Sequence, residues 1–234
     1  MKKGLVTIVG SYNVGLFLKG KRLPAVGETI TADKFIEGAG GKGSNQAIAA
    51  SSFGAATRFI VRLGADNYGR DALALYRKYA IPTDTITIDD TIHSGISIIL
   101  IDQTGKNMIS VALGANLNLS REDLDRAGSV IQDSSIVGFQ LENKLETVLY
   151  GIRTVHEMGI TTFLDPAPAV SLPDTIYSCV DIIKPNETEA SILTGIEVKG
   201  IADAKLAGTW FLEKGVRTAI ITLGERGSVL VTQE

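Results

Sequence analysis

Glu37 to Ser51 read EGAGGKGSNQAIAAS, and three α/β architectures compete for this stretch. Gly38-Ala39-Gly40-Gly41-Lys42-Gly43 spells G-x-G-x-x-G, the dinucleotide fingerprint, with a lysine among its glycines as in a phosphate loop. The phosphate loop needs Gly, four residues, then Gly-Lys-Ser/Thr. Here Lys42 is followed by Gly43, and the position five before Gly41 is Ile36, so that reading fails. The nicotinamide reading has an acid, Asp66, roughly 20 residues downstream. However, Asp66 sits in the turn LGADNYG instead of ending a strand, and the first strand-like run is Leu5–Val9, far upstream. Only NAD binding would revive that alternative. What remains is chemical. Glycines let backbone N–H groups approach a ligand closely. Gly43-Ser44 opens a helix whose N-terminus favours oxygen-rich or anionic groups. Lys42 adds a cation, and Asn45 adds a donor and an acceptor. The combination suits a polyhydroxylated small molecule; alone, it equally fits a tight turn with a solvated lysine.

Outward from this stretch the pattern is strand, then helix. Leu5–Val9, Thr57–Leu63, Ser135–Phe139, Thr161–Leu164, Val180–Ile183 and Thr218–Leu223 read as strands. Ser44–Phe53, Gly69–Tyr79, Lys144–Met158 and Ala202–Glu213 read as helices. The alternation predicts an α/β three-layer sandwich, a mostly parallel central sheet flanked by helices. Segments 15–20, 28–37 and the hairpin 94–113 around DQTGK are surplus β structure, expected to form a small lid sheet.

Composition narrows the partners. The 234 residues carry 26 acidic and 23 basic side chains, a net charge of −3, and no run of one sign. No basic patch invites nucleic acid or an anionic membrane, and no apolar stretch is long enough to span a bilayer. The single cysteine, Cys179, has no disulfide or metal partner and is expected to be a buried small hydrophobe in a reducing cytoplasm.

In parallel α/β sheets ligands bind beyond the carboxyl ends of the strands. Those ends here carry Ser11 and Asn13, then Gln140-Leu141-Glu142, Asp165-Pro166, Lys184-Pro185-Asn186-Glu187 and Thr222-Leu223-Gly224. One polar strand end is an ordinary cap or turn; five on one edge describe a cleft. Along the chain, VGSYN, PAVGET, GGKGSNQA, LGAD, GANLNLS, QLE, DPAP, IIKPNETEA and ITLGERG occur in an order that resembles the ribokinase family of ATP-dependent sugar kinases. The resemblance runs from the first strand to the last residue.

The resemblance implies a substrate site of Ser11, Asn13, Gly41, Lys42, Gly43, Asn45 and Glu142, matching the positions that hold sugar hydroxyls. It implies a nucleotide site of Asn186, Thr222, Gly224, Glu225 and Gly227, and Glu189 as the residue organising Mg²⁺ with ATP. A monovalent cation such as K⁺, a cytoplasmic location and a homodimer formed through the lid are further implications.

Two departures qualify these expectations. The family pattern Asn-x-Asp after the first strand reads Asn13-Val14-Gly15 here, which puts ribose in doubt and suggests another sugar, or a larger one filling the space above Gly15. The family's G-A-G-D motif, which supplies the catalytic Asp, would lie beyond Glu234. The chain is therefore expected to be a single domain, 1–234, incomplete at its C-terminus and holding no catalytic residue of its own. The alternative reading is a non-catalytic sugar- or nucleotide-binding fragment or regulatory module. His93 and His156, in a loop and on a helix, are expected at the surface.

Overall fold

The computed structural model describes residues 4–233. Eight strands form the main sheet: β1 (Leu5–Val9), β4 (Ala56–Gly64), β5 (Ile86–Asp89), β8 (Ile136–Phe139), β9 (Thr161–Leu164), β10 (Ile182–Ile183), β11 (Thr218–Thr222) and β12 (Ser228–Thr232). Their order is β12-β11-β10-β9-β8-β1-β4-β5, and every neighbouring pair is parallel except β11 with β12. A second sheet, in the order β3-β2-β6-β7, is built from β2 (Asn13–Lys19), β3 (Lys34–Gly40), β6 (Gly95–Ile101) and β7 (Asn107–Ala112). The helices are α1 (Lys42–Ser52), α2 (Asn67–Lys78), α3 (Arg121–Arg126), α4 (Gly128–Gln132), α5 (Leu145–Glu157), α6 (Asp174–Tyr177), α7 (Glu187–Thr194) and α8 (Ile201–Glu213). Among the described residues no helix is long and apolar enough to cross a membrane.

Strand alternation explains the three layers. Successive side chains point to opposite faces, so a strand covered on both sides reads as a continuous apolar run. In β1, Ile8 packs with Phe59, Val61 and Leu63 of β4 against Ala47, Ala72 and Tyr76 of α1 and α2. Its neighbour Val9 packs with Ile60 on the other face, in the larger core that includes Leu124, Val148, Ala204 and Phe211 of α3, α5 and α8. Tyr76, fully buried, touches Phe59 edge-on and donates a hydrogen bond to Ser44 Oγ at 3.1 Å, tying α2 to the first turn of α1.

The elements depart from the sequence expectation mainly at the edges. Residues 20–33 hold no strand, although 28–37 read as extended. The Arg22–Glu28 ion pair and the Ala25 N–H bond to Glu28 fold that stretch into a turn, with Gly27 at φ 79°. β5 and β12, the two edge strands, were not expected; neither were α3, α4 and α6, which are only four to six residues long. Cys179 is half-buried against the core, not fully buried. His93 and His156 are both exposed.

Buried carboxylates pin the connections on one side. Arg62 on β4 donates to Asp89 at 3.2 Å and to both oxygens of Asp123 at 3.1 and 3.2 Å. Thr91 and Asn118 also bond Asp89, while Thr87 and the Ser120 N–H bond Asp123. Asp66 caps α2 through the Gly69 N–H and takes the Ser94 N–H and hydroxyl, anchoring the start of β6. The Thr91 hydroxyl, followed by the Asn118 amide, holds Asp89 well below the usual carboxylate range. At Asp66 and Asp123 burial favours the neutral acid, but hydrogen bonds outweigh it and both pKa values are lowered.

These groups bind fewer protons folded than unfolded. Their stabilisation is therefore complete above the unfolded carboxylate pKa of about 3.9 and is lost as pH falls through the lower folded values. Urea unfolding of the chain should give a midpoint nearly flat from about pH 7 to pH 5 and falling steeply below about pH 4. Asp66→Ala should cost about 1 kcal/mol or more through the lost cap alone and should shallow the acid limb.

Candidate active site

The site is assembled where α1 docks its N-terminus on the loop after β1. Gly41 sits at φ 91°, and a Cβ there would lie 2.7 Å from the Ser11 carbonyl oxygen. A Cβ on Gly43 would lie 2.6 Å from the Ser11 nitrogen and 2.8 Å from Gly10 Cα. Both positions therefore demand glycine, one for its backbone angle and both for the close approach. The first-turn N–H groups find partners outside the helix: Ser44 N–H donates to the Ser11 carbonyl at 2.9 Å and Lys42 N–H to Glu142 Oε2 at 3.1 Å. A carboxylate thus sits on the positive end of α1. The Ser11 hydroxyl also donates to Glu142 Oε2, and Asn13 Nδ2 approaches the same oxygen at 3.4 Å.

Asn13 is oriented from behind. Asn116, fully buried in the Gly114–Asn118 turn, accepts from Tyr12 N–H at 2.9 Å. Its amide donates to the Tyr12 carbonyl at 2.8 Å, Asn13 Oδ1 at 3.0 Å and the Leu113 carbonyl at 2.8 Å. With its oxygen occupied, Asn13 is left to present its NH₂ group toward Glu142.

Above this floor lies an open cavity of about 450 Å³. Asn13, Gly41, Lys42, Asn45 and Glu142 line it, and the second sheet roofs it with Gly15, Phe17, Ser97, Ile99, Ile109 and Val111. Of the residues expected to meet a sugar, Ser11 and Gly43 are not on this lining. They are buried beneath it, Ser11 holding Glu142 and Gly43 admitting the helix. The Phe17 ring stands over Gly15: a Cβ there would come within 2.7 Å of it.

A polar chain leads from the cavity floor along the strand ends. Gln140 Nε2 donates to Gln46 Oε1 at 2.6 Å, Gln46 Nε2 to Asp165 Oδ2 at 2.8 Å, and Lys184 Nζ to Asp165 Oδ1 at 3.2 Å. It crosses from β8 to β10 and reaches the other group of expected residues. Asn186 caps α7, accepting from Glu189 N–H at 2.8 Å, while Glu189 Oε2 accepts from Asn186 N–H at 2.9 Å. Asn186 also bridges to Thr222, whose N–H donates to the Pro185 carbonyl at 3.0 Å. Gly224 and Gly227, at φ 56° and 83°, turn the chain from β11 to β12, and Arg226 between them pairs with Glu187. Asn186, Thr222, Gly224, Glu225, Gly227 and Glu189 therefore share one corner, half-buried to exposed. Among the described residues no cluster of three or more His, Cys, Asp or Glu side chains forms a metal cage.

Asp66, the acid the nicotinamide reading needed, is spent on α2 and Ser94. Asn116, Phe17 and Gln46 were given no role from the sequence, and Asp165 and Lys184 only a place among the polar strand ends. Asn116 and Gln46 lie in the GANLNLS and GGKGSNQA segments, where long-range partners do not show.

Against proteins of known identity, the chain is 38% identical to a bifunctional ribokinase/ribose-5-phosphate isomerase A of Fructilactobacillus sanfranciscensis, covering all of this chain but only 43% of that protein. It is 36% identical to a ribokinase of Staphylococcus aureus, over 97% of this chain and 75% of the relative. Its fold superposes on the structure of Arabidopsis thaliana ribokinase complexed with ribose and ATP with a TM-score of 0.87 at 28% identity, covering 98% of this chain and 75% of that one. The family model described as pfkB family carbohydrate kinase matches residues 3–234. With that match across the chain and those relatives, the protein belongs to the pfkB family of carbohydrate kinases.

Proposed function

We propose that this chain carries the sugar site and part of the nucleotide site of an ATP-dependent kinase that phosphorylates a hydroxyl of a small sugar. The observation that carries this reading is the placement of two dissimilar polar sites on one sheet edge. One is the Glu142–Asn13–α1 floor; the other is the Asn186–Glu189 and Thr222–Gly227 corner. The floor lies at the ends of β1 and β8 and the corner at the ends of β10 and β11, with β9 between them. In-line transfer needs such an arrangement, with acceptor and donor at opposite sides of the transferred phosphoryl group.

In the proposed reaction a sugar hydroxyl oxygen forms a bond to the γ-phosphorus and gives up its proton to a general base or water, while the bond from that phosphorus to the β–γ bridging oxygen breaks, releasing ADP. Glu142 accepts hydrogen bonds from sugar hydroxyls through Oε1, which has no protein partner among the described residues. Asn13, Asn45 and Lys42 donate to sugar oxygens. Glycine turns at Gly224 and Gly227 let the nucleotide lie close to the backbone. Mg²⁺ bound with the ATP phosphates, with Glu189 on its water shell, would neutralise charge on the transferring group. Lone carboxylates suit this ion, since Mg²⁺ keeps most of its waters and is carried largely by phosphate. The lid sheet closes over the sugar and excludes water. Its exposed apolar side chains, Phe35, Ile98 and Met108, make it the proposed contact for a second copy.

The reading is tested by titrating the chain separately with sugars and with ATP–Mg²⁺ by calorimetry, and by assaying sugar-dependent ADP release. Glu142→Gln should weaken sugar binding roughly tenfold to a hundredfold by removing a charge-assisted acceptor, with ATP binding unchanged. Equal sugar affinity in this variant would refute the floor assignment. Asn116→Ala should unfold at lower urea, losing about 2 kcal/mol or more, because it strands the Tyr12 backbone groups in the core. Its surviving folded fraction should bind sugar more weakly than wild type.

A further inference from the structure

The cavity has two walls of opposite character. On the domain side, side-chain or backbone polar groups come from Asn13, Lys42, Asn45 and Glu142. On the lid side, the strand pairing puts Gly15 opposite Ser97 and Phe17 opposite Ile99, with Ile109 and Val111 continuing across β7. The Phe17 ring leans back over Gly15, its Cε2 within 2.7 Å of where a Cβ would stand, and the same atom would lie 4.0 Å from a Cβ on the cross-strand Gly38. Beyond Asn13 at the base of β2, the hydroxyl of Ser97 is the only side-chain polar group that the described residues of the lid sheet contribute to the lining. A ligand hydroxyl pressed against Phe17 and Ile99 would lose water without gaining a partner, which is unfavourable. A C–H or methyl group placed there loses nothing.

We infer that the site selects a deoxy sugar, a monosaccharide lacking the hydroxyl at the carbon that lies under Phe17. This rests on the sugar-kinase reading above and specifies its substrate class. The remaining hydroxyls face Glu142, Asn13 and Asn45, and a hydroxyl at the lid's inner rim meets Ser97. Phe17 is the specificity-determining residue; Gly15 makes room for its ring.

The test is calorimetric titration of the whole chain with matched pairs of sugars: ribose against its 2-deoxy and 3-deoxy forms, galactose against 6-deoxygalactose, and mannose against 6-deoxymannose. At least one deoxy sugar should bind about tenfold or more tightly than its parent. Phe17→Ser should reduce that ratio to near one, and the pair Gly15→Asp with Phe17→Ala should reverse it, with the hydroxylated parent preferred. A ring that merely covers two glycines would lower the melting temperature when removed and leave the ratio untouched, and that result overturns the inference. So does a panel in which every parent sugar binds at least as tightly as its deoxy forms. If no sugar binds while ATP does, the sugar-kinase reading falls first and takes the inference with it.

Discussion

Everything in the site hangs on how closely the N-terminus of α1 approaches the loop after β1. The approach is possible because Gly41 and Gly43 have no side chains to collide with Ser11 and Gly10. Once docked, the helix exposes N–H groups that its own turns cannot satisfy. Ser11 and Glu142 satisfy them, and in doing so Glu142 is drawn to one place at the end of β8. The carboxylate proposed to grip the sugar is thus positioned by the same contacts that close the helix. A side chain larger than hydrogen at either glycine would move helix, carboxylate and cavity floor together.

The second constraint is that this floor must keep its distance from the corner proposed to bind the nucleotide. Gln140, Gln46, Asp165 and Lys184 form a hydrogen-bonded spacer across three parallel strands, each amide using both ends except Gln140, whose Oε1 is buried without a partner among the described residues. Asn143 Oδ1 is the other such atom. Both belong to the loop after β8, beside Glu142. Buried amides left half-satisfied are costly, so their concentration at one loop marks a place held for reasons other than stability.

Much of this was legible from residue order, and the failures have physical causes. β1 and β9 were read to the residue because they are buried on both faces and end in polar residues or glycine. β5 and β12 escaped because edge strands are half-exposed and their polar residues read as loop. Asn186 and Glu189 were singled out by the resemblance, as nucleotide and Mg²⁺ residues; that they also cap α7 as a pair three residues apart was not read. Asn116 and Phe17 were not singled out. Asn116 acts on residues over a hundred positions away, and the Phe17 ring matters only because Gly15 is beneath it. Sequence spacing reports local partners; it is silent on which side chain fills a vacancy left by another.

Charge placement connects the two halves. Both helix N-termini that face the cleft already carry carboxylates: Glu142 on α1, and Glu187 and Glu189 on the first turn of α7. Their positive ends are therefore largely answered within the protein, and neither is a ready-made anion site of the bare kind. For Glu142 this favours neutral, hydrogen-bond-donating ligands, which is the chemistry of a sugar and not of a phosphate. For α7 it means that a polyphosphate could approach Glu189 only with a cation between them, such as a divalent ion carried on the phosphates. The arrangement that disfavours a free polyphosphate at the proposed sugar floor also favours a metal-carried nucleotide at the corner proposed to bind it.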